Sequence, residues 1–223
     1  MLEAIRRAHG RWVMSRRTQV LANILGGVLP RHGRVLDVGA GDARIDALIM
    51  ESRSGLTIEG VDVLVRPETC IPVSRYDGTT LPYADRSFDW VLFVDTLHHA
   101  GNPGALLAEG NRVARSGMVI KDHVCDGMLD HVLLGLMDWV GNRPHGVPIR
   151  YRYLDEATWR EIFRGLGLCV EIWEGRIPLY PWPAGMVFNR SLHFITKVVK
   201  VQEGSSGFRR PTPASIDMKG SNG

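Results

Sequence analysis

Three aspartates, Asp37, Asp62 and Asp77, each close an apolar, β-type run of residues. A carboxylate in such a place accepts hydrogen bonds from ammonium groups, hydroxyls or exocyclic amines. Asp37 opens the stretch Asp37-Val38-Gly39-Ala40-Gly41-Asp42-Ala43, whose glycines let backbone bend sharply and approach a ligand closely. Asp37 then suits an ammonium group, and Asp62 suits both hydroxyls of a ribose. Asp77, with Gly78 beside it, suits an exocyclic adenine amine. The plain alternative for each is a turn aspartate that satisfies local backbone, and it is strongest for Asp77.

The glycine pattern excludes two other nucleotide sites. A dinucleotide fingerprint, G-x-G-x-x-G, needs a third glycine where this chain has Arg44, and the phosphate-loop signature is absent. A ligand that joins a cationic amino acid to an adenosine satisfies all three acids. That ligand is S-adenosylmethionine (SAM).

A second group of residues suits proton transfer. His98, His99 and His123 follow strand-like runs, with Asp95 and Asp122 at matching positions. A histidine near neutral pKa is the natural proton acceptor for a hydroxyl or an acidic carbon, and His99 is the first choice. Asp95 and Asp122 are placed to orient a histidine or an acceptor. Capping of the following helices is the structural alternative for the histidines. These residues have no metal-ligand spacing, so no metal is expected.

These residues need a frame of alternating strands and helices. Strands read at Arg34–Gly39, Thr57–Asp62, roughly Ile71–Tyr76, Phe88–Val94 and roughly Gly117–His123. Helices read at about Glu3–Leu29, Ala43–Arg53, after Asn102-Pro103, at Met128–Val140 and at Asp155–Leu166. Continuous apolar strands separated by helices imply a parallel sheet covered on both faces. Two last runs, Leu168–Trp173 and Ser191–Val199, suit an antiparallel edge. Within Met128–Val140, His131, Gly135 and Asp138 form a polar stripe on an otherwise apolar helix. Arg150-Tyr151-Arg152-Tyr153 mixes cations with aromatics as a lid does, although an ordinary surface loop has the same look. Arg16 and Arg17 read by default as a solvated helix face.

Residues 33 to 125 resemble the class I SAM-dependent methyltransferase family, particularly its small-molecule branch often called type 11. Val35-Leu36-Asp37-Val38-Gly39-Ala40-Gly41 is similar to the family's first motif, and Val61-Asp62 to its ribose-binding acid. Asp77-Gly78-Thr79-Thr80-Leu81-Pro82 through Phe88-Asp89 is similar to its segment around adenine. Val91 to His99, with Leu97-His98-His99, is similar to its fourth strand and following loop. The resemblance implies a doubly wound α/β fold with a seven-stranded, mostly parallel Rossmann-like sheet in the order 3-2-1-4-5-7-6, the last strand antiparallel. It implies SAM held by Asp37, Gly39, Ala40, Gly41, Asp62, Val63, Asp77, Gly78, Val94 and Asp95, and chemistry from His99, His98, His123 and Asp95. Many members carry a glycine where this chain has Ala43, which implies slightly altered cofactor packing. The implied division is a helical lid over residues 1–30, the catalytic domain over 31–200 with a substrate-side insertion at 126–154, and a disordered tail over 201–223.

The chain's 223 residues are 44% hydrophobic and 23% charged, enough for an ordinary core. Scattered arginines give a formal charge of +3 rather than one basic block, which disfavours a nucleic-acid surface and fits an anionic or aromatic small substrate. Asp95-Thr96-Leu97-His98 also departs from the Asn/Asp-Pro-Pro-Tyr/Phe motif of amino-methylating base enzymes. A tRNA or other nucleic-acid methyltransferase and a non-catalytic SAM-binding protein remain the alternatives. Three dispersed cysteines and no membrane-length apolar run lead us to expect a reducing, cytoplasmic setting.

Overall fold

The computed structural model describes residues 16–142, 153–180, 182, 185 and 192–201. Helix α1 covers residues 16–28. It leads into β1 (Gly33–Val38), α2 (Arg44–Ser52), β2 (Leu56–Asp62), β3 (Val73–Arg75) and β4 (Phe88–Val94). A 3-10 turn (Leu97–His99), α3 (Pro103–Val113), β5 (Ala114–His123) and α4 (Met128–Asn142) follow. The last elements are α5 (Glu156–Gly165), β6 (Leu168–Glu174) and β7 (His193–Lys200). The seven strands form one sheet in the order β3-β2-β1-β4-β5-β7-β6, parallel except for β7, which runs antiparallel to both neighbours. The expected fold and strand order are therefore correct.

Alternation along the strands creates two cores. Leu36, Val38, Val91, Phe93, Met118 and Ile120 face one side of the sheet, where Leu106 and Leu107 of α3 and Trp159 and Phe163 of α5 cover them. Val35, Ile58, Leu92, Val119 and Ile195 face the other side, under Leu21 and Leu25 of α1 and Ile49 of α2. Because both faces are covered, the central strands are continuously apolar. Strand order reverses at β1, with β2 on one side and β4 on the other, so a crevice opens at the carboxyl ends of β1 and β4.

Several boundaries move. β3 shrinks to Val73–Arg75, an edge strand paired only with β2. β5 starts at Ala114, because no turn separates it from α3. The start of α4 is not buried as its apolar composition suggests: Met128 is 86%, Leu129 56% and Val132 62% exposed. His131 is exposed as well. The amino-terminal half of the leading helix, residues 143–152 of the lid-like loop, most of 181–191 and the tail from 202 lie outside the described residues.

Candidate functional site

The bend after β1 is built of bare backbone. Gly39 has φ 84°, and a Cβ there would lie 2.3 Å from Thr96 Oγ1 and 2.5 Å from its Cγ2. Gly39 N and Ala40 N donate to Val61 O at 2.8 and 3.2 Å, which ties the bend to the end of β2. Gly41 N donates to Asp62 Oδ2 at 2.8 Å, and Leu64 N to Asp62 Oδ1 at 2.9 Å. Both oxygens of Asp62 are thereby aimed along the rim, each keeping lone-pair capacity. Ala43 holds a left-handed φ of 54° at the N-cap of α2, so the bend survives without the family's glycine, at a cost of about 1–2 kcal/mol.

Asp37 lies beneath this bend, 3% exposed, with Oδ1 lacking a hydrogen-bond partner among the described residues. Burial, reinforced by Asp46 and Asp62, pushes its pKa well above the usual carboxylate range. Asp46, in the first turn of α2, is 1% exposed with its own Oδ1 unmatched, and burial raises its pKa to about 6. Sequence reading missed Asp46. The signal was its place three residues before the buried Ile49, on the apolar face of the helix.

Farther along the rim, Gly78 has φ 85° and its absent Cβ would sit 3.0 Å from Val63 Cγ1, so Val63 and Gly78 form one small ledge. Asp77 is exposed. Its Oδ1 accepts from Thr79 N (2.7 Å), Thr79 Oγ1 (2.9 Å) and Thr80 N (2.7 Å), and these bonds lower its pKa. The local-turn reading accounts for that oxygen. The fit to SAM rests on the rest of the rim: an orphaned buried carboxyl oxygen under a side-chain-free bend, with a carboxylate at the next strand end. The residues present fit the group.

The histidines gather at the ends of β4 and β5. His98 Nδ1 is 2.6 Å from Asp122 Oδ1, and Asp122 also accepts from His123 N (2.8 Å) and Leu97 N (2.9 Å). His123 Nδ1 lies 3.2 Å from His98 Nδ1. His99 shares the 3-10 turn, half-buried, with its ring 4.0 Å from that of His98. Tyr153 closes against His98 and His123 at 6.1 and 6.0 Å between ring centroids, and against His131 at 5.4 Å.

Asp95, at φ 53°, was expected to orient a histidine or an acceptor. Its carboxylate binds Lys121 and Arg17 instead, and His123 Nε2 stands off at 3.8 Å. Asp122 is the acid that orients a histidine. Burial alone would raise the pKa of Asp95, but Lys121 and Arg17 outweigh it and hold the carboxyl well below the usual range. Lys121 is fully buried, its pKa lowered by desolvation, with Nζ 3.3 Å from His193 Nδ1. Burial also pushes His123 and His193 well below the ordinary imidazole range.

Sequence reading passed over Lys121, although a lone cation inside an apolar strand was the signal for a buried partner. Arg17 likewise leaves its expected solvated face to meet Asp95. His98, Asp122 and His123 place one ligand atom each within 4.8 Å, a spacing a metal ion can bridge. The two backbone donors on Asp122 and the neighbouring Lys121 and Arg17 charges fit a hydrogen-bonded cluster better.

Comparison with known proteins agrees with this architecture. A methyltransferase domain family matches residues 7–171. Dimethylglycine N-methyltransferase of Parasynechococcus marenigrum is 28% identical over 66% of this chain and 55% of its own length. Demethylmenaquinone methyltransferase of Renibacterium salmoninarum is 31% identical over 56% of this chain and 58% of its own. The chain spans about half the length of the curated relatives it matches. Among solved structures, a SAM-dependent methyltransferase of Mesorhizobium loti superposes with TM-score 0.59 at 16% identity, covering 80% of this chain and 96% of that one. The 4+2 cyclase SpnF superposes with TM-score 0.58 at 16% identity, covering 82% and 81%. No helix among the described residues is long and apolar enough to cross a membrane. With the family matched over most of the chain and the sheet order reproduced, the chain belongs to the methyltransferase domain family and carries the class I, Rossmann-like sheet.

Proposed function

We propose that the chain methylates a small-molecule acceptor, aromatic or anionic, at oxygen, carbon or nitrogen, in a reducing cytoplasm. The observation that carries this reading is the compact histidine group, with His98 tied to Asp122 at 2.6 Å, one strand away from the bare-backbone bend. The names of the relatives, which refer to dimethylglycine and to demethylmenaquinone, support a small-molecule acceptor.

SAM supplies an electrophilic methyl group that needs no further activation. The protein's task is alignment and exclusion of water. Asp37 would hold the ammonium end, the bare backbone of Gly39, Ala40 and Gly41 would let the cofactor approach closely, and Asp62 would hold the ribose. Val63, Asp77 and Gly78 would border the adenine, and Val94 and Asp95, at the end of β4, would complete the cofactor's site. His99 accepts the acceptor's proton where it has one to lose. His98 and His123 wall the site, Asp122 setting the orientation of His98, and Asp95 acts by holding Lys121 and Arg17 in place.

SAM should raise the melting temperature while NAD leaves it unchanged, and Asp62→Ala should lose most of that rise. An undiminished rise in the variant removes the ribose assignment. Because the fold also occurs in a protein named as a cyclase, turnover decides the activity: a panel of acceptors read by mass spectrometry should show methylated product. His99→Ala should then lower kcat on a hydroxyl or carbon acid by about 10²–10⁴. A gel shift with tRNA or duplex DNA across salt should show no specific complex; a specific one favours the nucleic-acid alternative.

A further inference from the structure

We propose that Asp46 is a second cofactor-binding carboxylate, paired with Asp37 so that the ammonium group of SAM replaces the one proton the two acids share. The proposal rests on the SAM reading of the rim. Asp37 lies one residue before the end of β1 and Asp46 in the first turn of α2, on either side of the glycine bend, and their charges act on each other. They are 3% and 1% exposed, each shifts the other's pKa, and Oδ1 of each has no hydrogen-bond partner among the described residues.

Two carboxylates in contact and out of water cannot both be ionised, so the pair carries one proton and one negative charge. The neighbouring charges do not change that. Asp62 and Asp42 are also acids, and each adds repulsion to one member of the pair. Arg44 is paired with Asp42 at 3.8 Å, and Arg66 lies on the outer side of the bend, 3.5 Å from where a Gly41 Cβ would be. A substituted ammonium placed between the two orphaned oxygens donates to both, the shared proton leaves to solvent, and the pair becomes fully ionised against the incoming cation. One proton is released for each SAM bound. Affinity should then rise with pH, by up to about tenfold per unit, while the free pair still holds its proton.

The test is calorimetry of SAM binding at pH 6.5 in two buffers of different ionisation heat, with 5′-methylthioadenosine, which lacks the amino-acid end, as the second ligand. Wild-type protein should release close to one proton with SAM and none with methylthioadenosine. Asp46→Asn, which keeps the side-chain shape but cannot ionise, should bind SAM without release and with a flat pH profile. Asp62→Ala, with its weaker affinity, should still release the proton. Binding of SAM to the wild type without proton release, or equal release by both ligands, overturns the pairing and leaves the cofactor reading standing. No binding heat from SAM at all overturns both.

Discussion

Even a single methyl group at residue 39 would overlap Thr96, and it would do so at a backbone angle that disfavours any side chain. Gly39→Ala should therefore destabilise the fold by roughly 2 kcal/mol or more and weaken SAM binding. Part of the loss should return in the Gly39→Ala/Thr96→Gly double variant, with a coupling of about 1 kcal/mol in a urea-denaturation cycle. Additive losses would mean that Thr96 is not what the new methyl meets. Asp37 and Asp62 were legible in the sequence because the motif that displays them is local. Lys121 and Arg17 were not, because their partner Asp95 is 26 and 78 residues away and only the folded sheet brings them to it. Asp46 falls between: its helical phase showed that it faced inward, but not that another acid waited there.

Elements whose ends carry their own signals came out closest to expectation. Asn102 accepts from Ala105 N at 3.0 Å with Pro103 in the first helical position, and Asp155 accepts from Thr158 N at 2.7 Å. Asn102→Ala should cost about 1 kcal/mol, seen as a lower urea midpoint at an unchanged m-value. A neutral result would show that α3 is held by Leu106 and Leu107 alone. Where no residue marks an end, the reading slipped, as at the start of β5, or at β3, whose three paired residues sit inside a longer extended stretch. In α4 the outward face of the first turn was not legible, since periodicity identifies an apolar helix but not which element covers it.

For the molecule as a whole, the doubly wound sheet was legible because continuous apolar strands between helices admit few other packings. The charged interior shows in the pH dependence of folding. His123 and His193 are held neutral by burial, whereas in the unfolded chain each takes a proton near pH 6.5. Below that pH the unfolded state binds more protons, so stability should fall on acidification, by up to about 1.4 kcal/mol per unit for each histidine. Asp37 and Asp46 work the other way, because the folded pair keeps a proton that the unfolded chain has lost, and they offset part of the histidine contribution. The urea midpoint of His193→Phe should therefore gain on that of the wild type as pH falls from 7.5 to 5.5; a constant gap would mean that His193 titrates as in a free chain. The consecutive residues Lys121, Asp122 and His123 also carry a consequence for assembly. They pair with Ile195, Phe194 and His193 of β7, and alternation sends Lys121 towards Asp95 and Asp122 towards His98 and the Leu97 amide. Threading β5 one residue out of step would exchange these two faces and strand a cation and an anion in apolar surroundings, each at a penalty of several kcal/mol. The strand thus carries a chemical check on its own alignment, one that apolar side chains of similar size would not supply.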